Sequence, residues 1–317
     1  MNAHPPQRLA FLLALTSLSG LALYGISPVP EGHAEGTRAK SMAEAAPEGL
    51  TIVKAKQGEV LYLTLVADGT PSSVRGRFRG RLVPFYKTGR EGEFAALVGI
   101  DLADEPATAT LKAELLYADG VRQRVFHVGV AAEDFRVQDM TLPKDQVDPD
   151  AASLKRIGLE REKVKEVFAA YTPERLWAKS FIVPVDGIVT GAFGSKRILN
   201  GQPRNPHSGE DISAPLGTPV KATNDGNVKM VDDHFFSGTS VILDHGLGLY
   251  TMYFHLETAQ VKEGMRVERG QILGTVGQSG RATGPHLHWG AWLNGSRVNP
   301  FALTKLPIEA PAAKMQP

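Results

Sequence analysis

The 317-residue sequence contains no cysteine. That absence excludes disulfides, thiolate zinc sites and cysteine nucleophiles. Charge of one sign is also missing, since 35 Lys and Arg stand against 34 Asp and Glu for a formal net charge of +1. Without a basic surplus the chain lacks the electrostatic footprint of a general nucleic-acid binder, and no nucleic acid is expected as a partner. No H-E-x-x-H occurs, which rules out the helix-borne plan of zinc peptidase. The stretch Gly277-Gln278-Ser279-Gly280 lacks the last glycine of a nucleophile elbow. No Lys-Ser/Thr follows Gly274, Gly277, Gly280 and Gly284, so these glycines are not a phosphate-binding loop. What remains is ordinary globular composition, 42% hydrophobic and 22% charged, in a chain long enough for about two domains or one large one. Of nine histidines, His207, His234, His245, His255, His286 and His288 fall after residue 200. Any metal or acid–base chemistry must therefore run on imidazole and carboxylate.

One long apolar run is present, from Leu9 to Ile26, preceded by Arg8 and followed by the helix breakers Pro28 and Pro30. With the small residues around Gly32 and Ala34 it reads as a secretory signal over 1–34; the alternative is an uncleaved single-span anchor. Either form predicts export, to the periplasm or cell envelope, with the inner membrane a partner only if the segment stays uncleaved. No cysteine follows the run, so a lipoprotein anchor is excluded. Residues 35–49 are rich in Ala, Glu, Gly and Lys without an apolar period and read as a flexible spacer.

The remainder is expected to be mainly β. From 50 to 135, about seven short alternating runs punctuated by Asp68-Gly69 and Asp119-Gly120 suggest an immunoglobulin-like β-sandwich. His127 there has no carboxylate or second histidine at ligand spacing and reads as a surface or packed residue. Residues 136–180 form a linker in which Leu154, Ile157, Val164, Val167 and Phe168 fall at helical spacing. The pairs Glu160–Lys163, Glu162–Lys165 and Lys163–Glu166 mark a solvated face, and Asp148 before Pro149 is the expected N-cap. From 181 to 303 the texture becomes short Val/Ile-rich strands separated by tight turns, with more than half of the 33 glycines, which predicts an all-β domain. Residues 304–317 are the expected tail.

Histidines concentrate the chemistry in that last domain. His207 and Asp211 are four apart, but Pro206 and Gly209 argue for a loop entering a strand rather than a helix. His286 and His288 are two apart, so in a strand both rings face one surface. His255 closes a predicted strand beside Tyr253. A catalytic zinc takes three protein ligands and keeps one position open, and one His/Asp pair plus one histidine of the spaced pair meets that number. Two histidines are then left to move protons.

Residues 184–301 resemble the catalytic domain of the M23 metallopeptidases, the lysostaphin/LytM type of peptidoglycan endopeptidase. The resemblance rests on Phe193-Gly194 with Arg197, on His207 to Asp211, and on Ser213 to Val220. It continues through Asp244-His245-Gly246, Tyr253-Phe254-His255-Leu256 and Thr283-Gly284-Pro285-His286-Leu287-His288. It implies one Zn2+ per chain held by His207, Asp211 and His288, with His255 and His286 as the acid–base pair. It also implies hydrolysis of peptide cross-links or stems of peptidoglycan. Which of the two histidines is the base, and which bond is cut, stay open. All five positions are filled, unlike those members of the family that lost ligands and act as wall-binding proteins or activators, the alternative function. Phe254 stands where the family often has a smaller residue. His245 reads as structural and His234 as a loop residue at the rim. Residues 50–180 carry no catalytic constellation; they are expected to restrict access to the zinc site, to dock a regulatory envelope protein, or only to space the domain.

Overall fold

The computed structural model describes residues 52–308. The expected signal and spacer lie outside the described residues, as does the end of the expected tail. Among the described residues no helix is long and apolar enough to cross a membrane.

The first strands are β1 (Ile52–Lys56), β2 (Val60–Val66), β3 (Ser73–Phe78), β4 (Arg81–Lys87), β5 (Glu93–Gly99), β6 (Thr108–Tyr117) and β7 (Gly120–Ala131). They form one continuous path, β1-β7-β6-β3-β4-β5-β2, rather than two separately paired sheets. The reason is β4, whose first half pairs with β3 and whose second half, Phe85–Lys87, pairs with β5. Alternation builds the core: β3 buries Val74 and Phe78 and exposes Arg75 and Arg77. Leu63, Leu65, Leu111, Leu115 and Val128 complete it. The second apolar face of β2 is not idle, because Val60 and Tyr62 pack against a cluster containing Leu97, Trp177, Leu249, Leu293, Leu306 and Ile308.

The linker holds β8 (Val137–Met140), α1 (Lys144–Val147) and α2 (Ala151–Ala169). The expected N-cap is corrected by two residues. Asp150, not Asp148, accepts from the Ser153 N–H, and Asp148 instead closes α1. Pairing along α2 also differs from expectation. Lys165 does meet Glu162, but Glu160 takes Arg156 and Lys163 reaches Asp232 at 2.8 Å. The helix is therefore docked rather than merely solvated, with Phe168 stacked on Trp292 at 4.8 Å and Val164 and Val167 against the same cluster. Leu154 and Leu159, by contrast, are exposed.

The remaining elements are β9 (Ile188–Gly191), β10 (Lys196–Leu199), β11 (Gln202–Pro203), β12 (Gly209–Ser213), β13 (Pro219–Lys221), β14 (Gly226–His234), β15 (Gly238–Asp244), β16 (Leu249–Ala259), β17 (Arg266–Val267), β18 (Ile272–Val276), β19 (His286–Leu293), β20 (Ser296–Val298) and α3 (Pro300–Thr304). A ten-stranded sheet runs β17-β14-β15-β16-β19-β12-β9, with β13, β18 and β20 attached. Its buried side is apolar, with Ile212, Val241, Tyr253, Leu287 and Trp289 among its members. β10 sits apart in a small sheet between β11 and β8, and Leu142 and Val147 of the linker share a cluster with Leu199. α3 is followed by Leu306 and Ile308, both buried, so the chain after residue 303 is still packed.

Candidate metal centre

Three neighbouring strands, β12, β16 and β19, carry the histidines and the carboxylate. On β19, Leu287 and Trp289 point into the core, which turns His286 and His288 to the other face, as period two requires. Asp211 stands directly opposite His288 on β12, and Ser213 opposite His286. The loop before β12 brings in His207, whose carbonyl is bonded by Gly194 N–H.

His255 arrives by a different route. Simple alternation would place it on the face of Tyr253, which is buried in the core with its hydroxyl accepting from the Thr223 N–H. A bulge intervenes: Tyr253 pairs with Val241 and Leu256 with Thr239, so Phe254 and His255 together oppose Ser240. His255 takes φ of 61°, a left-handed conformation that a non-glycine residue holds only at a cost of about 1–3 kcal/mol. The result is that Phe254 and His255 both reach the face of His288. Phe254 lies flat on the His288 ring at 5.4 Å, and the His255 and His286 rings are 4.7 Å apart.

Three atoms able to bind a metal ion converge. Asp211 Oδ1 is 3.0 Å from His207 Nε2 and 2.8 Å from His288 Nδ1, and the two nitrogens are 2.9 Å apart. The His207 Nδ1–H donates to the Ala192 carbonyl, so in the neutral ring Nε2 is a bare lone pair facing a carboxylate oxygen. Burial depresses the His207 pKa to about 4, which keeps that ring neutral. Lone pairs this close and this dry call for a cation, and two imidazoles with one carboxylate suit a divalent transition metal. Two glycines clear the space. A Cβ on Gly191 would collide with the Asp211 carboxylate, and one on Gly209 would stand 2.6 Å from His288 Nε2. Arg197 Nη2 holds Asp211 Oδ2 at 2.8 Å, leaving Oδ1 for the site.

The other two imidazoles are locked in matching tautomers. His255 Nδ1–H donates to the Ser279 carbonyl and His286 Nδ1–H to the Gly284 carbonyl, each at 2.8 Å. Both Nε2 atoms therefore carry free lone pairs, and that of His286 lies 3.8 Å from Asp211 Oδ1. Burial, reinforced by the charges of His288 and His286, lowers His255 to about 3.

All five residues singled out in the sequence thus meet at one place. His127 is far from it in the chain, on β7. His234 is not a loop residue but the buried end of β14, because Asp232 and the Ser237 hydroxyl offer its ring polar neighbours. His245 is fully buried in a chain running from the Asp225 carbonyl through His245 and Thr251 to the Tyr253 hydroxyl, and plays a structural part. Sequence reasoning assigned no task to Arg197, Gly191 or Gly209; the folded chain brings Arg197 and Gly191 against Asp211 and Gly209 against His288. A cavity of about 560 Å³, lined by Tyr62, Phe135, Phe193 and Glu210, lies on the other side of β12. Burial raises Glu210 there to about 7.

Comparison with known proteins adds a name to this arrangement. Residues 205–300 match the model of peptidase family M23. The solved structure of an M23 protein from Pseudomonas aeruginosa is 33% identical, covers 78% of this chain and 93% of its own, and superposes with a TM-score of 0.56. Peptidoglycan DD-endopeptidase ShyA of Vibrio cholerae is 45% identical over 94 residues, 30% of this chain and 22% of ShyA. DD-carboxypeptidase/endopeptidase Mpg of Neisseria meningitidis is 42% identical over 97 residues, 31% of this chain and 22% of Mpg. The chain therefore spans about a fifth of the length of these two relatives.

Proposed function

The chain belongs to peptidase family M23, and from that premise we propose that it is a zinc-dependent endopeptidase of the cell envelope that hydrolyses peptide cross-links or stems of peptidoglycan. The observation that carries this reading is the convergence of His207 Nε2, Asp211 Oδ1 and His288 Nδ1 beside two tautomer-locked imidazoles. The relatives named as peptidoglycan DD-endopeptidases support the substrate class.

The roles follow from the atoms. His207, Asp211 and His288 would hold one zinc ion, which supplies Lewis acidity toward a peptide carbonyl and a water. Arg197 keeps Asp211 turned so that one carboxylate oxygen is presented. His255 and His286 each offer a bare Nε2, one to take a proton from the attacking water and the other to return one to the leaving amine. In its protonated form either ring also stabilises negative charge on the carbonyl oxygen. The Nδ1 bonds to Ser279 and Gly284 keep both rings aimed while these transfers occur.

Digestion of purified sacculi, with and without a chelator, tests the proposal. Soluble products whose masses identify the cut bond are expected only without chelator. Intact sacculi in the presence of zinc-loaded protein would place the chain among non-catalytic wall-binding proteins or activators instead.

A further inference from the structure

Ser279 belongs to the stretch Gly277-Gln278-Ser279-Gly280, which has no last glycine and so is barred from serving as a nucleophile elbow. The fold gives its side chain another part. Ser279 Oγ accepts from the Thr239 N–H at 2.9 Å and donates to the Leu256 carbonyl at 2.8 Å. Its own carbonyl accepts from His255 Nδ1–H at 2.8 Å. Thr239 and Leu256 face each other beside the bulge of β15 and β16. One residue therefore grips both strands of the bulge and also the ring that the bulge turns outward.

The loop that carries Ser279 is closed at its base and pressed onto β15. Gly277 bridges to His286, whose N–H donates to the Gly277 carbonyl, and the Arg281 N–H donates to the Phe236 carbonyl. A Cβ on Gly238 would collide with the Ser279 hydroxyl, and one on Gly280 with the Gly238 backbone, so strand and loop meet at glycine on both sides. The same loop supplies the acceptors of both acid–base rings, but not in the same way. The acceptor of His286 is Gly284, two residues away in its own chain. The acceptor of His255 is 24 residues away, so the aim of that ring depends on where the loop docks. His255 is also the residue with φ of 61°, a conformation that persists only where the surroundings over-determine it.

We propose that Ser279 is a positioning residue for His255: its hydroxyl fastens the loop to the bulge, and its carbonyl, placed by that fastening, holds the ring in the Nδ1–H tautomer. This rests on the peptidase reading above and adds to it the residue that sets one of the two proton-transferring rings. Without the hydroxyl, the Thr239 N–H and the Leu256 carbonyl each lose a partner, and the loop is free to shift. A displacement of about 1 Å at a reacting group costs up to about a hundredfold in rate, so a small shift is enough to be read.

The full chain as purified is tested beside Ser279→Ala and Ser279→Thr, the second of which keeps the hydroxyl. With a soluble cross-linked muropeptide dimer as substrate, Ser279→Ala should lose roughly tenfold or more in kcat, with KM within about twofold and metal content unchanged. Ser279→Thr should recover most of that loss. Nitrogen-15 NMR of the histidine rings, read through their carbon-bound protons, separates aim from fold. His255 should pass from the Nδ1–H form to a mixture of tautomers in Ser279→Ala and return in Ser279→Thr, while His286 keeps its form throughout. Ser296→Ala deletes a buried hydroxyl bonded to the Gly99 carbonyl, and should lower the melting temperature without changing kcat or either ring. Should Ser279→Ala not fold by circular dichroism, Ser279→Cys, whose thiol makes only weak hydrogen bonds, should show the same changes at smaller amplitude. An unchanged kcat, an unchanged His255 tautomer, no recovery in Ser279→Thr or an equal loss in Ser296→Ala overturns the proposal. Were the unaltered chain to leave the dimer intact, the peptidase reading would fall, and the tautomer of His255 would still decide the role of Ser279.

Discussion

The two β regions of this chain use their strands differently. In β3, β6 and β7 one face fills an apolar core and the other meets water with arginines and glutamate, as in the exposed Arg75–Glu114 pair. In β12, β16 and β19 the first face is equally apolar, but the second also shuts polar groups away from water: Asp211, His255 and His288, with His207 from the loop before β12, are all buried. The first region shows what folding alone asks of a sheet. The second shows what a reactive centre adds, namely desolvated groups that each need an assigned partner and a cleared space. Arg197, the carbonyls of Ala192, Ser279 and Gly284, and the glycines at 191 and 209 meet those needs.

The sharpest way to break this contrast is to delete one polar group from each region. Asp211→Ala should lower the metal content from about one per chain to none, and with it several kcal/mol of transition-state stabilisation, roughly a thousandfold in hydrolysis rate. His127→Ala on β7 should change neither, by metal analysis and sacculus assay. His255→Ala should abolish hydrolysis while metal stays; loss of metal would mean that its role and that of a ligand are exchanged.

Acid is a gentler probe of the same difference. His245 is buried and neutral, its pKa lowered by burial from 6.5 to about 4. As pH falls below 6.5 the unfolded chain gains a proton that the folded chain refuses, so stability should decline until about pH 4. The expected loss is roughly 3 kcal/mol from this one group, read from urea denaturation of the metal-free chain. His245→Gln should make that slope shallower, the remainder coming from His207 and His255, and an unchanged slope would refute the assignment.

Smaller still is the response to a single methyl group. Gly209→Ala forces a Cβ to 2.6 Å from His288 Nε2, and overpacking of about 1–3 kcal/mol should weaken metal binding about tenfold or more in a chelator competition. Gly76→Ala on β3 meets Phe85 at 3.1 Å and should lower the melting temperature modestly without touching metal affinity. Least of all, Phe254→Leu removes the ring stacked on His288 and should weaken metal binding by about 0.5–1.5 kcal/mol. The surface change Arg75→Gln should cost under about 1 kcal/mol of stability and nothing in binding.

Local pattern made parts of this legible in advance. The strands Ile272–Val276 and His286–Leu293 follow from apolar runs bounded by glycine, and the shared face of His286 and His288 follows from period two. What escaped notice depends on partners distant in sequence. The face taken by His255 turns on a bulge that no alternation announces, since it arises where β15 and β16 lose register. The N-cap of α2 falls to Asp150, whose side chain accepts from the Ser153 N–H, while Asp148 closes α1 and meets Arg204, 56 residues away. Arg197 belongs to the motif that carries the resemblance, but its bond to Asp211, 14 residues on, is visible only once the chain is folded. A glycine two residues before Asp211 was the one local sign that a side chain needed room there.

The apolar cluster joining Leu97, Trp177, Leu249, Leu293 and Ile308 sets an order on folding. Its earliest member lies in the sheet made first and its last near the end of the described chain, so the loop it closes spans most of the molecule. Contacts of that span are entropically the slowest to form. Val60, Tyr62 and Leu97 must therefore wait, wet and uncovered, while the intervening chain is made. Until Leu306 and Ile308 arrive, a nascent chain presents this apolar flank to water.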